Sequence, residues 1–244
     1  MHVEYHKQWS PSLGQDMELK VYGHGGKPVI VFPTSGGRFY QYEDFGMVEA
    51  CRPFIDAGQI QLFTVDSIDH QTWLNYGAPP AERARRHNDF DRYIVDEVAV
   101  FIHGQGHAGH KFLATGCSLG AYHAANFFFR HPDLFDAVIA LSGLYSLRFS
   151  VGDYMDDQVY FHAPLAYLPD LDDPWYLEQY RQSQIVICSG QGAWEHGQDE
   201  AWALERILAA KGVPCWLDLW GHDVNHDWPW WRKQMPYFLG HLNL

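Results

Sequence analysis

Short apolar runs alternate with longer amphipathic stretches along most of the chain. Met17–Tyr22, Pro28–Phe32, Gln61–Val65, Lys111–Thr115, Ala137–Leu141, Gln184–Cys188 and Pro214–Leu219 are rich in Val, Ile, Leu and Phe. Their apolar character is continuous rather than alternating, as strands covered on both faces require. Between them lie segments with helical signals. Tyr42–Ala57 carries Phe45, Val48, Ala50 and Phe54 on one side, and Pro80–His103 opens on prolines. Leu119–Arg130 stops at His131-Pro132, Asp199–Lys211 ends at Gly212-Val213-Pro214, and Pro229–Leu242 closes the chain. These are the start and stop signals of helices. Strand and helix in alternation predict an α/β fold, a mostly parallel central sheet flanked by helices.

One stretch breaks the rhythm. Leu144–Ser183 is rich in Asp, Tyr and Pro and is too short to be an independent domain. Long irregular insertions in compact domains often wall or cover a pocket. The expected organisation is therefore one domain over residues 1–244, with 144–183 as a cap or lid.

Composition narrows the function. Hydrophobic residues make up 47% of the chain, which excludes disorder, and the net charge is −13. That excess repels a nucleic-acid backbone or an anionic membrane. No basic-then-apolar leader opens the sequence, and no run approaches the ~18 apolar residues of a membrane span. Cys51, Cys117, Cys188 and Cys215 are scattered without CxxC spacing. Free thiols in a reducing compartment are expected, and with them a cytoplasmic location.

Gly116-Cys117-Ser118-Leu119-Gly120 is the first candidate for chemistry. G-x-S-x-G arises often by chance, and a glycine-rich turn with a capping serine would look the same. Here, however, the apolar run Lys111–Thr115 precedes it and a helix follows. Strand, sharp turn and helix make the setting of a nucleophile elbow, where flanking glycines keep side chains clear and the helix N-terminus favours developing negative charge. Ser118 is the expected nucleophile.

A serine nucleophile needs a base, and in α/β hydrolases the triad follows the chain order Ser, acid, His. After the last strand candidate stand His222 and His226; their i, i+4 spacing also admits a metal site, but no H-E-x-x-H is present. After Gln184–Cys188 stand Glu195, Asp199 and Glu200. Glu195 lies in the loop just past the strand, whereas Asp199 and Glu200 suit the first turn of the next helix. For the oxyanion hole the expected donors are the Leu119 amide and the Ser35 amide, the latter in the loop PTSGGRFYQYEDFG. The cluster His103, His107 and His110 sits among glycines without an acidic neighbour and is expected to be a solvated connecting loop, so no metal and no cofactor are anticipated.

Together these residues resemble the putative-esterase family of α/β hydrolases, which includes esterase D (S-formylglutathione hydrolase), feruloyl esterases and the mycolyltransferase antigens. The resemblance rests on GCSLGAYHA at the elbow and HDWPWWRKQMPYFL near the C-terminus. In that family the catalytic histidine precedes a small or acidic residue and an aromatic, with a second aromatic three residues on. His226-Asp227-Trp228 with Trp231 fits this pattern, and His222 does not. The family's spacing of acid and histidine favours Glu195. The oxyanion loop departs from the pattern, carrying Pro33-Thr34 where His-Gly or Asp-Gly is usual.

The resemblance implies a serine esterase acting on a carboxylic ester or thioester through Ser118, His226 and Glu195. An acyltransferase would use the same residues, and a non-catalytic binding protein would keep only the scaffold. The expected partner is a small-molecule ester, not nucleic acid or membrane, and a homo-oligomer is left open. Around the site an aromatic rim is expected from Phe39, Tyr40, Tyr42, Trp73, Tyr154, Tyr160, Trp175, Tyr176, Trp194 and Trp228. With Asp153, Asp156 and Asp157 it predicts small neutral or cationic esters.

Overall fold

The computed structural model describes residues 1–243. Eight strands form one sheet: β1 (Val3–Ser10), β2 (Gln15–Tyr22), β3 (Lys27–Phe32), β4 (Ile60–Val65), β5 (Phe112–Cys117), β6 (Phe135–Leu141), β7 (Gln184–Ser189) and β8 (Trp216–Leu219). They lie in the order β1-β2-β4-β3-β5-β6-β7-β8. From β4 through β8 every pairing is parallel, and the β1–β2 and β2–β4 pairings are antiparallel.

Continuous apolar strands end up here because both faces are covered. Alternate residues of each strand serve opposite cores. Ile30 and Phe32 of β3 join Phe63, Ala114 and Val138 beneath the helices Pro80–Arg92, Leu119–Arg130 and Gln198–Ala210. Val29 and Val31 join Leu62, Leu113 and Ile139 beneath Met47–Asp56 and Trp228–Leu239. This is the α/β-hydrolase arrangement of a mostly parallel sheet wrapped on both sides.

Several elements depart from expectation. β1 carries VEYHKQWS and is exposed at most positions, so it offers no apolar period to detect. The expected helix Tyr42–Ala57 is two, Gln41–Asp44 and Met47–Asp56, divided by Gly46 at φ 74. The long helix from Pro80 continues past Ile102 in wide turns to His107, until Gly106 at φ 98 ends it. The histidine segment is thus not a solvated loop throughout. His107 is buried, its Nε2 at 2.6 Å from the Gln61 amide oxygen.

Residues 144–183 hold the short helices Arg148–Val151, Asp157–Tyr160, Pro164–Tyr167 and Pro174–Arg181. Val151, Val159 and Ala163 pack with Trp73, Leu119 and Tyr122 in a small core of their own. Arg83 donates to the Ser150 carbonyl at 2.6 Å, and Tyr122 donates its hydroxyl to the His162 carbonyl at 2.9 Å. Glu200, expected only to favour a helix start, accepts the Ser146 amide at 2.9 Å and so fastens the start of the segment. No helix among the described residues is long and apolar enough to cross a membrane.

Candidate active site

β5 lies at the middle of the sheet, and its C-terminal end turns directly into the helix Leu119–Arg130. Ser118 occupies the turn at φ 57, ψ −123, a region costly for any residue with a Cβ. Its amide donates to the Leu141 carbonyl at 2.9 Å, which pins the turn to β6. The two glycines are required by contact. A Cβ on Gly116 would lie 2.4 Å from the Gly120 backbone, and one on Gly120 would lie 2.4 Å from the Phe32 carbonyl oxygen. Serine is therefore presented on a strained peak, with backbone packed tightly beneath it.

His226 sits just before the final helix. Its amide donates to the Ala193 carbonyl at 3.0 Å, and its ring meets Trp231 edge-on at 5.0 Å. Asp227 caps that helix by accepting the Trp228 amide, fixing the chain at the point where the imidazole leaves it. The imidazole Nδ1–H donates to Glu195 Oε2 at 3.2 Å.

Glu195 is buried behind the histidine. Ser142 donates to its Oε1 at 2.6 Å, the Gly190 amide to Oε1 at 3.2 Å, and Ser189 to Oε2 at 3.2 Å. Trp231 donates its indole N–H to the Ser142 hydroxyl at 3.0 Å, linking the final helix to the same network. Burial pushes the Glu195 carboxyl up, but the hydrogen bonds from His226 and Ser142 outweigh it and hold the group below 4.5. The group therefore stabilises the fold in its ionised form. That contribution is present above the unfolded value and is lost as pH falls through the lowered folded value. Wild-type thermal midpoints should drop more steeply than those of Glu195→Gln as pH is lowered from 5 to 3. Parallel curves in differential scanning fluorimetry would contradict this.

The loop after β3 supplies the opposite wall. Thr34 is held by Gln41, whose side-chain oxygen accepts the Thr34 amide at 2.9 Å and whose side-chain nitrogen donates to the Thr34 hydroxyl at 2.7 Å. The Gly36 amide donates to Asp69 Oδ2 at 3.0 Å. Between these two anchors the Ser35 amide has no acceptor among the described residues, and neither has the Leu119 amide at the helix start. Two unpaired N–H groups on either side of a serine are what an oxyanion hole needs.

A cavity of about 270 Å³ joins these parts, lined by Ser118, Leu119, Ser35 and His226 with Leu74, Tyr76, Tyr122, Ser142, Leu144, Phe149, Trp194 and His196. It opens at the carboxyl ends of the strands, where ligands bind in open α/β sheets. A larger hollow of about 1070 Å³ lies at the other end, against Lys27, Pro28 and Lys111. It contains no serine or cysteine beside a base, so it is not where this chemistry belongs.

The rest of the reading sorts itself by burial. His222 and Asp199 are exposed and do not line the cavity. Of the expected aromatic rim only Trp194 is there, 75% exposed at the mouth. Trp73, Tyr42 and Trp228 are core residues, and Tyr160 and Tyr176 line a separate cavity with Arg130. Asp153, Asp156 and Asp157 lie elsewhere too, so the acidic rim is not formed. The actual walls are Tyr76, Tyr122 and Phe149, with leucines between. Ser142 and Ser189 were missed, although both belong to Ser-Gly pairs that close the adjacent strands β6 and β7. No group of three or more His, Cys, Asp or Glu among the described residues is arranged to hold a metal.

Comparison with known proteins agrees with this architecture. Residues 10–242 match the esterase family model described as "Putative esterase". A ferulic acid esterase is similar at 17% identity and TM-score 0.75, with 98% of each chain covered. FphF, a fluorophosphonate-binding serine hydrolase of Staphylococcus aureus, is similar at 14% identity and TM-score 0.73, over 98% of this chain and 97% of that one. The S-formylglutathione hydrolase FrmB from Staphylococcus aureus gives 17% identity and TM-score 0.67, over 98% and 96%. No curated protein sequence matches the chain. With the family model spanning nearly the whole sequence, the chain belongs to the esterase family and is a carboxylic ester hydrolase of the α/β-hydrolase fold.

Proposed function

We propose that the protein cleaves small carboxylic esters or thioesters through a Ser118–His226–Glu195 triad and an acyl-enzyme. One observation carries the proposal. The strained serine, the histidine backed by a buried carboxylate, and two unpaired amides all border one cavity of about 270 Å³. With Nδ1 held by Glu195, the His226 Nε2 is the nitrogen left to take the Ser118 proton. Ser118 Oγ then adds to the ester carbonyl, and the Ser35 and Leu119 amides receive the oxyanion. His226 returns the proton to the leaving alcohol or thiol, and water repeats the sequence on the acyl-enzyme. A fluorophosphonate probe tests this: stoichiometric labelling of the native protein, lost in Ser118→Ala, is expected. Native protein that stays unlabelled would leave only the scaffold reading.

The cavity also bounds the substrate. At about 270 Å³ it falls below the ~300–1,000 Å³ usual for drug-sized ligands, and its walls are leucine and aromatic without a charged side chain other than histidine. A short or single-ring acyl group fits these walls. The names of the similar structures, a ferulic acid esterase and an S-formylglutathione hydrolase, belong to that size range. Across p-nitrophenyl esters from C2 to C12, kcat/KM should peak at C2 to C4 and fall at least tenfold by C10. A peak at C10 or beyond would contradict this description of the pocket.

A further inference from the structure

Asp69 and His123 form a buried pair that the triad does not use, each side chain only 1% exposed. His123 Nε2–H donates to Asp69 Oδ1 at 2.9 Å, while Asp69 Oδ2 accepts the Gly36 amide at 3.0 Å. Among the described residues no lysine or arginine pairs with this carboxylate. A buried carboxylate with so few partners is expensive to desolvate, so its retention calls for an explanation. Among the described residues the other histidine nitrogen, Nδ1, has no partner, and the ring stacks on His87, whose two nitrogens have none either. Nothing here resembles a solvated surface pair.

Position gives the explanation. His123 lies on the helix whose first residue is Leu119, and Gly36 follows Ser35 in the loop after β3. The pair therefore ties together the two elements that carry the unpaired amides. Gly36 adopts φ +63, and a Cβ there would lie 2.4 Å from His70 Nε2, so the loop is pressed close against the 68–71 turn. Gln41 fixes the loop on the Thr34 side and Asp69 fixes it on the Gly36 side, so the Ser35 amide between them is held in place without an acceptor among the described residues.

We infer that Asp69 and His123 are positioning residues for the oxyanion hole, setting the Ser35 amide at its working distance from the Leu119 amide. Neither touches the substrate. This rests on the proposed Ser118 mechanism, and it concerns stabilisation of the tetrahedral oxyanion rather than binding of the ester. Loss of one oxyanion donor typically costs ~10²–10³ in kcat. Loosening one should approach the lower figure.

The test separates kcat from KM and adds an inhibitor that reads the oxyanion site. Asp69→Ala should lower kcat on p-nitrophenyl acetate by about 10²-fold with KM within threefold. Affinity for a trifluoromethyl ketone, which forms a tetrahedral adduct, should fall in parallel. Asp69→Asn should recover kcat to within about tenfold of wild type. Its amide oxygen can accept from Gly36, and its NH₂ can donate to His123 in the other tautomer. Should Asp69→Ala not fold, the double variant Asp69→Leu/His123→Phe replaces the charged pair by apolar groups of similar shape, leaving only the Gly36 amide to find water. It should show the same loss of kcat and of inhibitor affinity. A folded Asp69→Ala or double variant with kcat within threefold of wild type, or one whose loss lies in KM with ketone affinity unchanged, overturns the inference. Failure of the underlying mechanism would look different: wild-type protein itself would neither turn over the ester nor bind the ketone.

Discussion

Ser118→Ala is expected to lower kcat for p-nitrophenyl acetate by ~10⁴-fold or more, with little change in thermal midpoint. Among the described residues the hydroxyl makes no hydrogen bond that holds the fold; it is the backbone of residue 118 that bonds to β6. The loss should therefore be confined to chemistry. His226→Ala should fall by a comparable factor, because without a base the serine is a weak nucleophile at neutral pH. Combining the two should cost little more than either alone, as groups that act as one unit are not additive. His222→Ala is the control. That residue is exposed and outside the cavity, so its activity should stay within about threefold of wild type. Single-turnover and steady-state rates on the four proteins settle the matter; an active Ser118→Ala, or a His222 loss exceeding that of His226, would contradict the proposed roles.

How much of this was legible depended on whether the physics is local. The elbow was legible because strand, two glycines and helix are neighbours in sequence, and each glycine answers a contact within the same turn or just beside it. The mostly parallel sheet was legible because strands covered on both faces must be apolar without alternation. β1 was not, since a sparsely covered edge strand such as VEYHKQWS has no core to advertise. The break at Gly46 was missed because apolar spacing runs straight through it; only the left-handed backbone at that residue marks the division.

Long-range partners were hardest. The Asp69 carboxylate meets the Gly36 amide from 33 residues away and His123 from 54, and no local grammar announces such a pair. Aromatics misled for a related reason. A tryptophan is as much at home in a core as at a pocket mouth, and Trp73 and Trp194 occupy those two extremes, fully buried and 75% exposed. Sequence order alone does not distinguish them. Trp194 does carry one structural mark, a φ of 67 that a bulky side chain rarely adopts, immediately before Glu195. Strain of this kind gathers at working sites, and of the four positive-φ non-glycine residues Ser118, Ser142, Leu147 and Trp194, all but Leu147 line the same cavity.

Gly120→Ala should be the most damaging single methyl in the chain for activity. The added carbon would stand 2.4 Å from the Phe32 carbonyl oxygen and 2.6 Å from the Pro33 carbonyl oxygen, both backbone atoms that cannot rotate away. Either the Leu119–Arg130 helix lifts from β3, or the end of β3 retreats with the loop it carries. Both movements disturb the same quantity, the separation of the Leu119 and Ser35 amides across Ser118. A displacement of about 1 Å can cost ~10²-fold in rate. Because Ser118 and both amides of the proposed oxyanion hole shift together here, a loss of 10³-fold or more in kcat/KM is expected. Overpacking against rigid backbone should also destabilise the fold by about 3 kcal/mol. For a chain of this length that corresponds to a fall of roughly 6–12 °C in Tm. Gly104→Ala, where a Cβ meets nothing within 4 Å, is the matched control and should leave both quantities near wild type. Calorimetry and ester turnover on the two variants check the argument. A Gly120→Ala protein with full activity would mean that the end of β3 yields freely, and that the loop after β3 is not set by its contact with the elbow.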